Sequence, residues 1–183
     1  MTWLDKLLRQ WRLRMAVREL PVGARVLDIG THDGALFAST GLAGVGIDPE
    51  PGEAMADLPA GVRLIKGFFP DDLLDEAHGS FQAATALAVV EHVPEGGLQV
   101  WAAALSQLLS PGGVVVITVP APAVDKILHV LMRLHLVAGM EAHQHHGFQP
   151  GDLDGIFTAP DWQRRRHRIF QLGLNHLYVF VRT

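Results

Sequence analysis

Two hydrophobic rhythms divide the chain. Leu4, Leu7, Leu8, Trp11 and Met15 recur at helical spacing, with Lys6, Arg9 and Arg12 off that face. Thr2, with Asp5 three residues later, makes a capping-box-like start, and Pro21 ends the segment, so a helix is predicted over residues 2–20. From Val26 the rhythm shortens. Val26, Leu27 and Ile29 form a partly β-branched run of the kind found in strands buried on both faces. Leu36 and Phe37 restart a helical pattern, and Gly44–Asp48 and Val62–Lys66 read as two more short strands. Leu98 to Leu109 is helical, with apolar residues at 98, 101, 105, 108 and 109. Ser110-Pro111-Gly112-Gly113 ends it, and VVVITVP follows as a strand apolar throughout, as a central strand should be. Val124 to Met140 reads as a largely apolar helix, on which Lys126, His129 and Arg133 would line one narrow wet stripe. Gln163 to Arg182 gives two strands around Gly173-Leu174-Asn175.

The turn after the first strand carries the chemistry. Asp28 sits near the strand's end, and Gly30 leaves room for a ligand to approach the backbone without meeting a Cβ. Strand, glycine turn and helix together form a nucleotide-binding crevice. Asp48 ends the second strand, 18 residues after Gly30, where a carboxylate accepts hydrogen bonds from both hydroxyls of a ribose. The ligand therefore contains adenosine. A dinucleotide fingerprint needs glycines at 30, 32 and 35; the chain has Gly30, His32 and Ala35, and that pattern fails.

The pattern Asp28-x-Gly30-x-x-Asp33-Gly34 resembles motif I of the class I S-adenosylmethionine-dependent methyltransferases. FQAATALAVVEHVPE, Phe81 to Glu95, resembles the family's fourth strand and following loop, and LLSPGGVVVITVP resembles its LKPGG segment. RRRHRIFQLGLNHLYVFVRT resembles the hairpin of strands 6 and 7 that closes these domains. Four such motifs in order are far more specific than one. The resemblance implies one α/β domain over residues 1–183. It implies a doubly wound, seven-stranded, mostly parallel sheet with an antiparallel last strand (a Rossmann-like methyltransferase fold) and a cap at 121–150. Arg164, Arg165, Arg166 and Arg168 would then lie on an edge strand, where charge blocks unwanted pairing.

The implied cofactor is S-adenosylmethionine, with S-adenosylhomocysteine as product. Its contacts would come from Asp28, Gly30, Thr31, His32, Asp33, Asp48, Pro49, Phe68, Phe69 and Leu87. Pro49 would lie on the adenine side. Phe68 stands where relatives often have an acid; either phenylalanine covers the adenine or fills the core, and Asp71 or Asp72 is a substitute acid. His32 occupies a position usually given to glycine, and its side chain is expected to point away from the cofactor. A His32→Gly change should then leave affinity within a few-fold and cost stability through added chain freedom. Ala88 stands where relatives often carry an acid, and the spacing of His143, His145 and His146 matches no familiar metal site; no metal is expected. For an oxygen acceptor the base is His92 or His146, the one after strand 4, the other in the cap.

Composition sets outer bounds. Of 183 residues, 49% are hydrophobic and 19% charged, enough for one full core. The net charge of −4 and the lack of an Asn/Asp-Pro-Pro-aromatic tetrad after strand 4 disfavour nucleic-acid targets, leaving a small-molecule, glycan or lipid-linked acceptor. There is no cysteine, hence no disulfide or thiolate chemistry. No apolar run approaches the roughly 20 residues of a membrane span. The basic residues scattered through the first 20 positions rule out a secretory signal, so a cytoplasmic protein is expected. The N-terminal helix reads as packed over the core; the alternative is a basic, Trp-bearing helix that touches an anionic membrane or closes over substrate. The rival to an enzyme is a cofactor-binding module that acts through a partner.

Overall fold

The computed structural model describes residues 3–73, 76–94, 96–121 and 149–183. Strands β1 (Val26–Ile29), β2 (Gly44–Asp48), β3 (Val62–Lys66), β4 (Phe81–Leu87), β5 (Leu109–Pro120), β6 (Trp162–Phe170) and β7 (Asn175–Arg182) form one sheet, ordered β3-β2-β1-β4-β5-β7-β6. Neighbours from β3 to β5 pair in parallel, and β7 runs antiparallel between β5 and β6. This is the predicted Rossmann-like sheet, antiparallel last strand included. The chain steps outward from β1 through β2 to β3, then returns to lay β4 on the other side of β1. The order thus reverses between β1 and β4, and in such sheets a crevice opens there, beyond the carboxyl ends of the strands.

Both faces of the sheet are covered, which is why its central strands are apolar throughout. Leu27, Ile29, Ala84, Ala86, Val115 and Ile117 point to one side, against Leu98, Trp101 and Leu105 of helix α3 (Gly97–Leu108). Val26, Ala83, Val114 and Val116 point to the other. There they meet Leu36 and Phe37 of the short helix α2 (Ala35–Thr40) and Met15 and Ala16 of helix α1 (Trp3–Val17). At the sheet's edge, β6 carries its run of arginines as predicted.

Three features differ from the sequence reading, one helix face and two boundaries. Helix α1 presents another face to the core: Met15 and Ala16 are buried and Leu13 packs beside them, while Trp3, Leu7 and Trp11 are exposed. The periodicity was right, but the partner surface includes the polar turn after β1, and Arg9 faces it (below). β5 begins at Leu109, which pairs with Phe81 before the register jumps to Ala83 opposite Val114; Ser110–Gly113 form an irregularity within the strand. Gly113 fits because a Cβ there would lie 2.8 Å from the Ser110 carbonyl. The last hairpin turns through Gln171, Leu172 and Gly173, all with positive φ, and β7 already starts at Asn175. Gln171 is held there by donating to the Leu8 carbonyl at 2.7 Å and accepting from Asn175. Of the predicted cap, residues 122–148, with His146 among them, lie outside the described residues.

Candidate cofactor and active site

The turn after β1 is tied to the turn after β2. Gly30 N donates to the Ile47 carbonyl at 2.8 Å, and His32 N donates to Asp48 Oδ2 at 2.9 Å. Asp48 Oδ1 accepts from Glu50 N at 2.8 Å, and His32 O accepts from Gly52 N at 3.2 Å. Asp48 therefore holds both loops while keeping lone pairs for a ligand, since an ionised carboxylate has about four acceptor sites. Gly30 has φ +76, but the space its Cβ would take is occupied: Val89 Cγ2 would be 2.3 Å away. The glycine that sequence reasoning reserved for a ligand is needed for packing against the loop after β4. His32 also adopts a left-handed conformation, φ 51, and its ring lies against Gly52, where a Cβ would meet it at 2.3 Å.

A cavity of about 250 Å³ opens beside this turn, lined by Asp28, Gly30, Thr31, His32, Ala35, Leu36 and Leu87, and by Arg9, Arg12 and Leu13 of α1. Asp28 is buried and accepts from Thr85 Oγ1 at 2.6 Å. Burial raises its carboxyl from 3.8 to about 6, against the hydrogen bond from Thr85. Thr31 is itself buried, and its Oγ1 has no partner in hydrogen-bonding geometry. Burial also lowers the Arg12 guanidinium from its usual value, with the charge of Glu91 opposing and that of Arg9 adding to the fall. The cavity thus holds a buried acid, a partly buried cation and a buried hydroxyl still owed a hydrogen bond, a donor set that fits a polar, zwitterionic ligand.

Asp33 turns away from the cavity. Its carboxylate takes both terminal nitrogens of Arg9, one at 2.9 Å, and accepts from Ala35 N at the start of α2. Burial pulls its carboxyl upward, but the Arg9 hydrogen bonds and charge outweigh this and hold it below its ordinary value. Phe69 is buried, edge-on to Trp101 at 5.3 Å, so it belongs to the core; Phe68 is 66% exposed. Asp72 accepts from Phe68 N at 2.7 Å and so closes the loop after β3. His92 ends the short helical turn Val90–His92, exposed, just beyond Ala88, whose φ is 59. Asp48, Pro49, Phe68 and His92 stand outside the cavity lining, Asp48 bonded to its rim at His32. Sequence reasoning missed Arg9, Arg12 and Leu13. The signal was present, because Arg9, Arg12, Leu13 and Ala16 also fall at i, i+3, i+4 and i+7, but two arginines read as a solvated face. Among the described residues no group of three or more potential metal ligands occurs, and no helix is long and apolar enough to cross a membrane.

Comparison with known proteins agrees with this geometry. The chain is 36% identical over 104 residues to a ubiquinone biosynthesis O-methyltransferase of Azorhizobium caulinodans, covering 52% of this chain and 40% of the relative. A ubiquinone biosynthesis O-methyltransferase of Xanthomonas axonopodis is 35% identical over 107 residues, covering 54% and 44%. The chain thus spans less than half the length of these curated relatives. Among solved structures, the fold matches a 1,6-didemethyltoxoflavin-N1-methyltransferase of Burkholderia thailandensis, bound to 1,6-didemethyltoxoflavin and S-adenosylhomocysteine. That match has a TM-score of 0.68 at 18% identity and covers 99% of this chain and 80% of the other. An S-adenosylmethionine-dependent methyltransferase of Archaeoglobus fulgidus also gives 0.68, at 15% identity, covering 96% and 93%. The profile of the family described as "Methyltransferase domain" matches residues 2–163, nearly the whole chain. With that match, the β3-β2-β1-β4-β5-β7-β6 sheet and the crevice at its reversal point, the chain belongs to the class I S-adenosylmethionine-dependent methyltransferases.

Proposed function

We propose that the protein transfers a methyl group from S-adenosylmethionine to a small-molecule, glycan or lipid-linked acceptor and releases S-adenosylhomocysteine. The observation that carries the reading is the meeting of Asp28 and Arg12 in one cavity with the unpartnered hydroxyl of Thr31, beside a turn anchored by Asp48. An ammonium group suits Asp28 and a carboxylate suits Arg12, so the cavity accepts the amino-acid end of the cofactor. Asp48 takes the ribose hydroxyls with its remaining lone pairs, and Pro49 and the exposed ring of Phe68 flank the adenine. The bound cofactor supplies a methyl group already activated on a sulfonium. The protein's own work is then alignment and exclusion of water, by Leu87 from β4 and Leu13 from α1. An oxygen acceptor must also lose a proton, and His92, or His146 in the predicted cap segment, takes it. Oxygen is the acceptor to test first, since both curated relatives are named O-methyltransferases.

The test is formation of S-adenosylhomocysteine from S-adenosylmethionine across phenols, sugar hydroxyls and amines. Asp48→Ala should weaken cofactor binding by about 1.5–3 kcal/mol, as expected for loss of charge-assisted hydrogen bonds. With an acceptor found, His92→Ala should slow turnover by about 10²–10⁴-fold at unchanged cofactor affinity. No product with any acceptor, together with no calorimetric binding of S-adenosylmethionine, would overturn the proposal.

A further inference from the structure

Helix α1 has two faces with different surroundings. Its inner face, with Arg9, Arg12, Leu13 and Ala16, lines the cavity and the core. Its outer face is neither of the usual kinds. Trp3, Leu7 and Trp11, four residues apart, stack as one stripe and are 75%, 49% and 40% exposed. Lys6, Gln10 and Arg14, again four apart, form the adjoining exposed stripe, and exposed Arg18 follows at the helix end. Lys6, Arg14 and Arg18 make no hydrogen bond or ion pair with any described residue. Asp5 is the only acid of α1, is half-buried and has its own interactions. A solvated helix face has no use for two exposed tryptophans, and an ordinary protein-binding stripe has no use for interleaved, unpaired cations.

From this we infer that the outer face of α1 docks the protein on an anionic lipid surface. Indole rings favour the boundary between headgroups and acyl chains, where an apolar body and a polar N–H are both satisfied. Cations interleaved with them meet lipid phosphates at the same depth, the arrangement that lays an amphipathic helix in the plane of a bilayer. The complementary charge is local, because the chain as a whole carries −4. Since the inner face of the same helix roofs the cavity, docking sets the crevice close to the membrane, where an apolar acceptor would be concentrated. The inference concerns binding alone and stands whether or not methyl transfer is demonstrated.

Flotation of the full chain with phosphatidylcholine vesicles, with and without phosphatidylglycerol, tests it. The protein should float with the anionic vesicles and not with phosphatidylcholine alone, and about 0.5 M salt should release it, because the Debye length then falls below ~5 Å. Neutralising Lys6, Arg14 or Arg18 to Gln should each lower partitioning about 5-fold, the three together about a hundred-fold. The pair Trp3→Ala and Trp11→Ala should abolish flotation while circular dichroism stays that of the parent. Of the four tryptophans, Trp101 and Trp162 are buried, so quenching by lipids brominated in the acyl chain reports on Trp3 and Trp11. Failure to float with anionic vesicles, or flotation unchanged in both sets of variants, would overturn the inference. So would Trp3 and Trp11 emission already shielded from acrylamide without vesicles, which would mean that the chain itself or a second copy covers the stripe.

Discussion

Asp28 is a buried acid at the wall of the cavity, and its titration has a definite sign. The folded protein binds its proton more tightly than the unfolded chain does, with the carboxyl raised from 3.8 to about 6. Its contribution to stability is therefore fully present below pH about 3.8 and is lost as pH rises through about 6, a change of about 3 kcal/mol. Asp28→Asn, which keeps an acceptor for Thr85, should flatten this slope and leave the protein more stable near neutrality. Urea unfolding between pH 4 and 7 measures it; an Asn variant with the parent slope would place the proton on another group. His32 shows how a backbone angle changes an expectation drawn from sequence. Adding chain freedom with glycine costs about 0.5–1 kcal/mol, but releasing a side chain from φ 51 returns a similar amount. His32→Gly should thus change stability by less than about 1 kcal/mol, with cofactor affinity within a few-fold. A loss above ~2 kcal/mol in thermal unfolding would show that the ring's contact with Gly52 dominates.

Among the elements, α1 depends most on a distant partner. Arg9 reaches Asp33, 24 residues on, just before α2, and so ties the N-terminal helix to the turn after β1. Both side chains are mostly shielded, so the pair is worth more than a surface bridge: Arg9→Ala should cost about 1.5–3 kcal/mol. The loss should be local. Hydrogen exchange should speed up across residues 3–17 while the strands of the sheet keep their protection. Uniform loss of protection, or none, would contradict a helix held by this pair. Helix α1 and the residues just after it are also held by polar links to the last hairpin and its edge strand. Gln171 donates to the Leu8 carbonyl, and Glu19, just past the helix, pairs with Arg165 and Arg166 of β6. Part of the arginine run on β6 therefore anchors the N-terminal segment as well as guarding the sheet edge.

For the molecule as a whole, cofactor binding should register as stability. A ligand that binds only the folded state adds about 2.7 kcal/mol at a hundred times its Kd. For a chain of this length each kcal/mol shifts Tm by about 2–4 °C. Saturating S-adenosylhomocysteine should thus raise Tm by roughly 5–10 °C. An unmoved transition at millimolar ligand would mean that the cavity beside Asp28 and Arg12 is not the cofactor site. The seven-stranded sheet makes the site possible, because reversal of strand order between β1 and β4 separates the loops that follow them.

What the sequence determined by itself was local and periodic. Buried parallel strands must be apolar on both faces, so β1, β2 and the central part of β5 were legible as short runs; β4 was recognised through its motif. The spacing of Asp28, Gly30 and Asp48 named the crevice, because backbone geometry ties such residues to strand ends. The tertiary structure decided what depends on which surface meets which. It turned α1 so that Arg9 and Arg12 face the cavity beside the turn after β1 and Trp3, Leu7 and Trp11 face outward. It sent Asp33 to Arg9, Phe69 to the core and Val89 into the space beside Gly30. A helical repeat records that one face is special but not the chemistry of its partner, and a cation reads as solvated until the acid 24 residues away is brought beside it.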